Sequence, residues 1–231
     1  MACHGGPRQE SAWQYRGMSI ARTGGRALVG IAGAVALYAA AGRRHQLTWG
    51  STPAEVAAAL PGDELLGSAD LVATRSITVR AAASDVWPWL AQMGQGRGGL
   101  YSYDRLENLV GCDIHSADRI GPEWQSVAVG DPFRIHPQVA LSVARVEPGE
   151  GLVVEGGVSP TGEATTGSEA PYDFTWAFLL VPAGGDTTRL IIRERYRYRA
   201  PWVWLMVEPV AAVSFVMTER MLRGIRDRAE R

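Results

Sequence analysis

The strongest constraint on the fold is the alternation in residues 187–199, which read TTRLIIRERYRYR. A period of two over this length predicts a β-strand with one buried face. Five arginines share one side of that strand, and because a core does not accept five bare charges, the opposite side must face inward. The inner side carries four apolar or aromatic residues and one acid: Leu190, Ile192, Glu194, Tyr196 and Tyr198.

The remaining elements follow from hydrophobic periodicity and turn residues. One helix is predicted to start at Ser51–Thr52–Pro53, with an N-cap followed by Pro at an early helical position. A second follows Ser84 as the N-cap, and a third runs from near Pro209 to about Arg228. The resulting order is strand, helix, several antiparallel strands and a long C-terminal helix. Five further segments alternate or form short apolar runs typical of strands: 70–81, 127–136, 138–147, 151–156 and 172–181.

This order predicts an α+β fold. A single curved antiparallel sheet wrapped around the long C-terminal helix buries the apolar faces of both elements. Such an arrangement leaves a space between helix and sheet, where ligand pockets are favoured. We therefore assign residues 51–231 to one folded domain, in which residues 94–126 form an insertion after the first long helix.

Residues 1–50 are expected to form a basic tail followed by an apolar helix. The uncharged stretch ALVGIAGAVALYAAA, residues 27–41, has Arg26 before it and Arg43 after it. Fifteen helical residues span about 22 Å, short of the roughly 30 Å hydrocarbon core of a bilayer. Three interpretations stay open: a marginal membrane anchor, a signal peptide starting from Met18, and a helix packed on the domain. We favour the anchor and a membrane-associated protein, with a cytoplasmic protein as the alternative.

Composition excludes several classes of function. The formal net charge is -1, which provides no positive field for nucleic acid, so no nucleic-acid partner is expected. The two cysteines, Cys3 and Cys112, make neither a disulfide framework nor a zinc site. The sequence shows no catalytic triad, phosphate-binding loop or cofactor fingerprint, so no cofactor is expected.

Two stretches resemble a known superfamily. SITVRAAASDVWPWLAQMGQ, residues 76–95, resembles the opening strand and helix of the SRPBCC superfamily, the START-like and polyketide cyclase-like helix-grip proteins. WPWLAQMGQGRGGLYSYDRLENLVGCDIHSADRIGPEWQ, residues 87–125, followed by VGD, is similar to a bacterial, largely actinobacterial, group of unassigned activity. The resemblance implies a helix-grip fold with a hydrophobic cavity for a lipid, sterol, polyketide or similar ligand. It implies no single reaction, because the fold hosts carriers, sensors and enzymes.

Binding or transport of a hydrophobic small molecule is therefore the first functional hypothesis. An inward Glu194 must be hydrogen-bonded, paired or neutralised, since bare burial of a carboxylate is costly. It is either a polar anchor or acid/base group in the cavity, or a structural partner for a Tyr or Arg. With the insertion as a roof over the cavity, the candidate ligand-binding residues are Trp87, Tyr101, Tyr103, Trp124, Phe174, Trp176, Glu194 and Tyr196.

The alternative is an enzyme of the cyclase or dehydratase type that uses acid/base residues in the same cavity. Asp104 and Glu107 are three residues apart and share a face if SYDRLENL is a helix. The catalytic candidates are then Glu194, Asp104, Glu107 and His115. Their spacing matches no metal signature, so no metal is assigned, and a structural insertion or lid explains the stretch without one.

Two surfaces suit contact with a membrane. Residues 201–217 carry one charge, Glu208, and Trp202 and Trp204 favour a bilayer interface. We favour the interpretation that this stretch is the buried face of the C-terminal helix, because that helix must cover the sheet, and we keep membrane contact as the alternative. The arginine row of 187–199 is interpreted as a solvated face or, near a membrane, as a site for anionic lipid head groups.

Overall fold

The structure, a computed structural model, describes residues 42–158, 164–165 and 170–231, with the side chains of 157–158 and 164–165 excepted. The chain divides into two units, Met1–His45 and Gln46–Arg231. All elements from Pro53 onward lie in the second unit. The apolar segment 27–41 and the alternative start at Met18 lie outside the described residues.

Most observed elements lie close to the predicted ones, although the strand predicted over 127–136 begins only at Pro132. The helices of the described residues are α1 Arg43–Thr48, α2 Pro53–Ala57, α3 Ala83–Ala91, α4 Asp104–Leu109 and α5 Trp204–Ala229. The strands are β1 Leu71–Val79, β2 Pro132–His136, β3 Val139–Glu147, β4 Gly151–Val158, β5 Ala164–Thr165, β6 Tyr172–Pro182 and β7 Thr188–Tyr198. Short 3-10 turns occur at Asp63–Leu66, Pro122–Trp124 and Pro201–Val203.

The described strands form one antiparallel sheet. Its order is β1-β7-β6-β4-β3-β2, and β5 pairs with β4. The pairing register shifts between Arg134 and His136 in β2 and between Val143 and Arg145 in β3. Such irregularities bend the strands that carry them. The curved antiparallel sheet that the sequence predicts is thereby confirmed.

Helix α5 closes the concave face of this sheet. The main core joins α3, α5 and the inner sides of the strands, and a smaller cluster forms around Leu71, Tyr196 and Val203 where α5 begins. A glycine is required at 224, because a Cβ there would lie 2.2 Å from the Tyr101 carbonyl oxygen. The buried stripe of α5 consists of Val207, Ala211, Thr218, Met221, Leu222, Gly224 and Ile225.

Two helix starts differ from prediction. Helix α5 begins at Trp204 rather than at Pro209. Its buried stripe extends back to Val207, and burial there offsets the hydrogen bond that Pro209 cannot donate. Helix α3 begins at Ala83, with Ala82 rather than Ser84 at the N-cap position, because the Ala82 carbonyl already accepts the first helical hydrogen bonds.

The convex face of the sheet is covered by residues 52–67. Thr52 caps α2 in a capping box with Glu55, as its position before Pro53 predicts. Arg189 Nε donates to Glu55 Oε1 at 2.8 Å, and Arg193 Nη1 donates to Asp63 Oδ2 at 2.7 Å. The Arg193 side chain is only 3% exposed. The interpretation of the whole arginine row as a solvated face is therefore wrong.

Residues Pro201–Ala229 are, among the described residues, a stretch long and apolar enough to cross a membrane by length and composition alone. The inner side of this stretch packs on the sheet, so it serves as the closing helix of the domain. Only 22% of its most apolar window is buried, which leaves its outer side facing away from the protein.

Candidate ligand-binding site

Several donors converge on the carboxylate of Glu194. Arg75 Nη1 lies 2.7 Å from Glu194 Oε1, Ser214 Oγ lies 2.7 Å from it, and Thr218 Oγ1 lies 3.1 Å from it. Tyr196 donates to the other oxygen, Oε2, at 3.4 Å. The side chains of Arg75 and Glu194 are each 1% exposed. Glu194 is thus paired with both an Arg and a Tyr in the interior between sheet and α5. We call these five residues the Glu194 group.

The strand register explains why these side chains meet. Glu194 of β7 lies between Ala73 of β1 and Trp176 of β6. Arg75 stands two residues beyond Ala73 on the same inner face, since alternate residues of a strand point the same way. The small Ala73 side chain leaves room for Arg75 to extend diagonally toward Glu194. The two hydroxyls of α5 are four residues apart and share one face of that helix.

The guanidinium of Arg75 is only partly paired. Its Nε donates to the Gln46 carbonyl oxygen at 2.8 Å, and its Cζ lies 5.6 Å from the centroid of the Phe215 ring. Within the described residues, Arg75 Nη2 has no hydrogen-bond partner, and neither has the buried indole Nε1 of Trp176. These two buried N–H donors, on the strands that flank β7, can therefore still bind an oxygen atom.

Aromatic rings of β6 and β7 flank this polar group. The ring centroids of Phe174 and Tyr196 lie 4.7 Å apart, and those of Trp176 and Phe178 lie 4.6 Å apart. Phe174 also packs against both core clusters, so the rings form a continuous wall along the inner face of the sheet. Candidates Phe174, Trp176, Glu194 and Tyr196 are thus brought together.

Tyr196 remains a hydrogen-bond donor in this setting. Burial raises the pKa of its phenol well above 10.0, and the negative charge of Glu194 raises it further. The phenol therefore keeps its proton throughout the physiological pH range, and it donates that proton toward Glu194 Oε2.

The Glu194 group is partly exposed at α5. Ser214, which bonds directly to Glu194, is only half-buried, and so are Phe174 and Phe215. Each of these three residues contacts a member of the group or its aromatic wall. Among the contacts of Glu194, Ser214 is therefore the partly exposed one.

The predicted insertion lies between α3 and β2 and is held by the fully buried Gln92. Its Nε2 donates to Tyr101 Oη at 2.9 Å and to the Arg119 carbonyl at 3.1 Å, and its Oε1 accepts from Gly121 N at 2.9 Å. Tyr101 in turn donates to the Trp89 carbonyl at 3.1 Å. The hydroxyl of Tyr101 is therefore engaged within the protein.

The other aromatic candidates lie at the edge of the core or at the surface. Trp87 is half-buried against the main core, and Trp124 is half-buried with its carbonyl accepting from Arg97. Tyr103 is exposed, and its ring centroid lies 6.0 Å from the Cζ of Arg220. It stays a prediction that Trp87, Tyr103 and Trp124 contribute to ligand binding.

Asp104 and His115 contact other residues of the insertion, whereas Glu107 is buried without a full set of partners. Asp104 accepts from the N–H and the Oγ of Ser116 at 2.7 and 2.6 Å. His115 is 80% exposed and lies 3.2 Å from Asp113. Glu107 is buried, its Oε2 has no partner in the described residues, and burial, followed by the charge of Asp104, raises its pKa to about 7. No three His, Cys, Asp or Glu side chains of the described residues group together as a metal site.

Sequence reasoning missed three members of the Glu194 group: Arg75, Ser214 and Thr218. For Arg75 a signal was present, since it falls on the apolar side of the alternation in 70–81 and an inward charge needs a charged partner. Ser214 and Thr218 give a weaker signal, because hydroxyl residues are common on helices and their spacing alone names no partner.

No protein-family model matches the chain, and no curated protein matches it. Solved structures show likeness at low identity. Norcoclaurine synthase from Thalictrum flavum is 16% identical over 74% of this chain and 92% of its own, with a TM-score of 0.41. CalU16 from Micromonospora echinospora is 15% identical over 69% of this chain and 83% of its own, with a TM-score of 0.33. DynU16, from the dynemicin biosynthetic locus, is 16% identical over 67% of this chain with a TM-score of 0.38, and the chain spans only 46% of DynU16.

Likeness at this level carries no functional argument. The fold follows instead from the topology of the chain itself. Its first strand leads into a helix, the following strands complete one antiparallel sheet, and a long C-terminal helix closes the concave face. This arrangement is the helix-grip fold, and it confirms the fold that the sequence resemblance implies.

Proposed function

We propose that the chain binds a hydrophobic small molecule at the Glu194 group, between the inner face of the sheet and α5. The observation that carries the proposal is the buried Arg75–Glu194 pair among aromatic rings of β6 and β7. Buried ion pairs add little net stability, because desolvation offsets their attraction. A requirement for stability therefore does not account for the pair, whereas a few polar groups in an apolar site orient a mostly apolar ligand.

Native mass spectrometry of the full chain in detergent, with organic extraction of any retained molecule, tests the proposal. We expect a hydrophobic molecule to co-purify with the wild type and to be lost in Glu194→Gln, because the amide cannot accept the same charge-assisted hydrogen bonds. Glu155→Gln makes the same change at an exposed position of β4 and should retain the molecule. The proposal fails if the wild type retains nothing and does not bind the neutral probe phenylnaphthylamine.

An acid/base enzyme of the cyclase or dehydratase type is the second candidate. The contact of 3.4 Å between Tyr196 Oη and Glu194 Oε2 favours it, because two groups able to hold a proton lie side by side in an apolar setting. Incubation of the retained molecule with each variant, followed by mass spectrometry, separates the candidates. A Glu194→Gln protein that binds but no longer converts the molecule supports the enzyme, and an unchanged molecule with the wild type contradicts it.

The proposal extends to contact with a membrane, from which an apolar ligand is collected. At 100° per residue, Leu205, Val213 and Val216 share the outer side of α5, opposite its buried stripe. Leu205 is 60% exposed and Val213 is 64% exposed. Trp202 and Trp204, both exposed, precede them, and tryptophan favours the bilayer interface.

The outer side of α5 changes from apolar to charged residues along its length. Up to Val216 it is apolar, and beyond Val216 its outward positions are Arg220, Arg223 and Asp227. A helix that met only water would carry polar residues along its whole outer side. This change supports an arrangement in which the outer side of α5 contacts the bilayer up to Val216. The arginines beyond Val216 would then lie at the level of the lipid head groups.

Helix α4 adds a second exposed apolar group near this boundary. The ring of Tyr103, the residue before α4, lies 6.0 Å from the Cζ of Arg220. Leu106 in α4, and Leu109 and Val110 at its C-terminal end, are exposed. Exposed apolar side chains on α4 as well as on α5 support a partner with an apolar surface.

A further inference from the structure

We infer that the ligand presents a neutral hydrogen-bond acceptor, a carbonyl or hydroxyl oxygen, to Arg75 and Trp176. The inference rests on the proposed function and specifies the polar end of the ligand. Two observations carry it: two N–H donors at the site have no acceptor, and the ion pair beside them is already balanced in charge.

Both donors are deep in the protein. Arg75 and Trp176 are each more than nine-tenths buried, and within the described residues neither Arg75 Nη2 nor Trp176 Nε1 has a hydrogen-bond partner. A buried N–H group without a partner costs about 1–3 kcal/mol, and such groups are rare in folded proteins. An acceptor oxygen at this place removes that cost, so it adds directly to the free energy of binding.

The positions of the two donors define where the acceptor lies. Trp176 is the Cα partner of Glu194 across β6 and β7, while Arg75 reaches Glu194 from the side of β1. The two donor side chains therefore belong to the strands on either side of β7. Arg75 Nε is occupied by the Gln46 carbonyl and Nη1 by Glu194, and one guanidinium face lies toward Phe215. Nη2 is the edge of Arg75 that remains for a ligand.

The charge balance selects a neutral acceptor over an anionic one. The positive charge of Arg75 is matched by Glu194 at 2.7 Å. A ligand carboxylate would place a second negative charge beside Glu194 in an interior site, where like charges disfavour each other strongly. The hydroxyls of Ser214 and Thr218 already donate to Glu194 and do not offset that repulsion. A ketone, ester or alcohol oxygen accepts from the same donors without this penalty.

Three probes that share one ring system test the inference on the full chain in detergent. Acetylnaphthalene carries a ketone, ethylnaphthalene is a hydrocarbon of nearly equal size, and naphthoate is an anion. Calorimetry measures each affinity, and proton–nitrogen correlation NMR follows the indole signal of Trp176, assigned by its loss in Trp176→Phe. We expect the ketone to bind about threefold to tenfold more tightly than the hydrocarbon, with naphthoate weakest. The indole proton of Trp176 should move downfield with the ketone only.

Trp176→Phe keeps an aromatic ring and removes the N–H, so it should lower the preference for the ketone by about two- to threefold. Trp202→Phe makes the same change at an exposed position and should leave the preference intact. Equal affinity for ketone and hydrocarbon in the wild type, or tightest binding of naphthoate, overturns the inference and leaves the proposed function in place. If none of the three probes binds, the inference fails, and if the wild type also retains no molecule and does not bind phenylnaphthylamine, the proposed function fails with it.

Discussion

Arg75 Nη1 and Glu194 Oε1 lie 2.7 Å apart in the interior of the domain, and each side chain is 1% exposed. The pair links β1 to β7 and, through Ser214 and Thr218, links the sheet to α5. The Arg75–Glu194 pair places two charges on an otherwise apolar inner face of the sheet. The proposed binding of a ligand depends on this pair.

Removal of one charge of this pair should lower the free energy of unfolding far more than removal of both charges. Arg75→Met leaves the Glu194 carboxylate buried without its countercharge and should lower the free energy of unfolding by about 3–5 kcal/mol. The double variant Arg75→Met/Glu194→Met removes both charges and should recover most of that loss. Urea unfolding of the single and double variants measures the coupling. Losses that simply add would show that the two charges do not stabilise each other.

Gln92 should hold the segment between α3 and β2 in place. Gln92→Leu keeps the size of the side chain but removes its hydrogen bonds to Tyr101, Arg119 and Gly121. We expect a loss of about 1–3 kcal/mol in the free energy of unfolding, because buried polar partners are left unpaired. Limited digestion with trypsin should also cut this segment faster than in the wild type. The exposed substitution Gln138→Leu is the control, and equal digestion rates in both variants would contradict the assignment.

Glu107 should make the domain less stable as the pH rises. Burial, and then the neighbouring Asp104, raises its pKa from 4.5 to about 7. The folded state therefore holds this proton more tightly than the unfolded state, so the stabilisation is complete below about pH 4.5 and is lost as the pH rises through about 7. Glu107→Gln stays neutral and should exceed the wild type in stability at about pH 8 by on the order of 1 kcal/mol.

Urea unfolding at about pH 5 and about pH 8 checks this dependence. Glu123→Gln, at an exposed position of the same segment, is the control and should follow the wild type. An identical change of stability with pH in the wild type and in Glu107→Gln would show that the carboxyl of Glu107 titrates normally.

The outer side of α5 should enter a bilayer at its tryptophan end. Vesicles with brominated acyl chains should quench the tryptophan fluorescence of the full chain, and Trp202→Phe/Trp204→Phe should lose more than half of that quenching. Trp87→Phe, at a half-buried position of α3, should keep it. This readout reports on α5 whatever residues 27–41 do, since that segment contains no tryptophan. Undiminished quenching in the double variant would place both tryptophans outside the bilayer.

The sequence predicts the fold well because its signals are local. The alternation in 187–199 and in 172–181 matches β7 and β6 to within a residue at each end. The helix over SYDRLENL is confirmed as α4, which places Asp104 and Glu107 on one face. The start of α5 is missed because a proline in the sequence favours the first turn of a helix, so the sequence pattern predicts a start at Pro209. The burial of Val207, which extends the helix toward its N-terminus, depends on packing and is not visible in the local sequence.

By itself the sequence determined the order of strands and helices, the inner and outer sides of β7, and the presence of one acid, Glu194, on the inner side. Only the tertiary structure decided what that acid meets. Arg75 is 119 residues away along the chain, and its approach to Glu194 depends on the pairing of β1 with β7. The same holds for the covered arginines, where Arg193 reaches Asp63 across 130 residues. Periodicity reveals which way a side chain points, but strand register and the packing of distant segments select its partner.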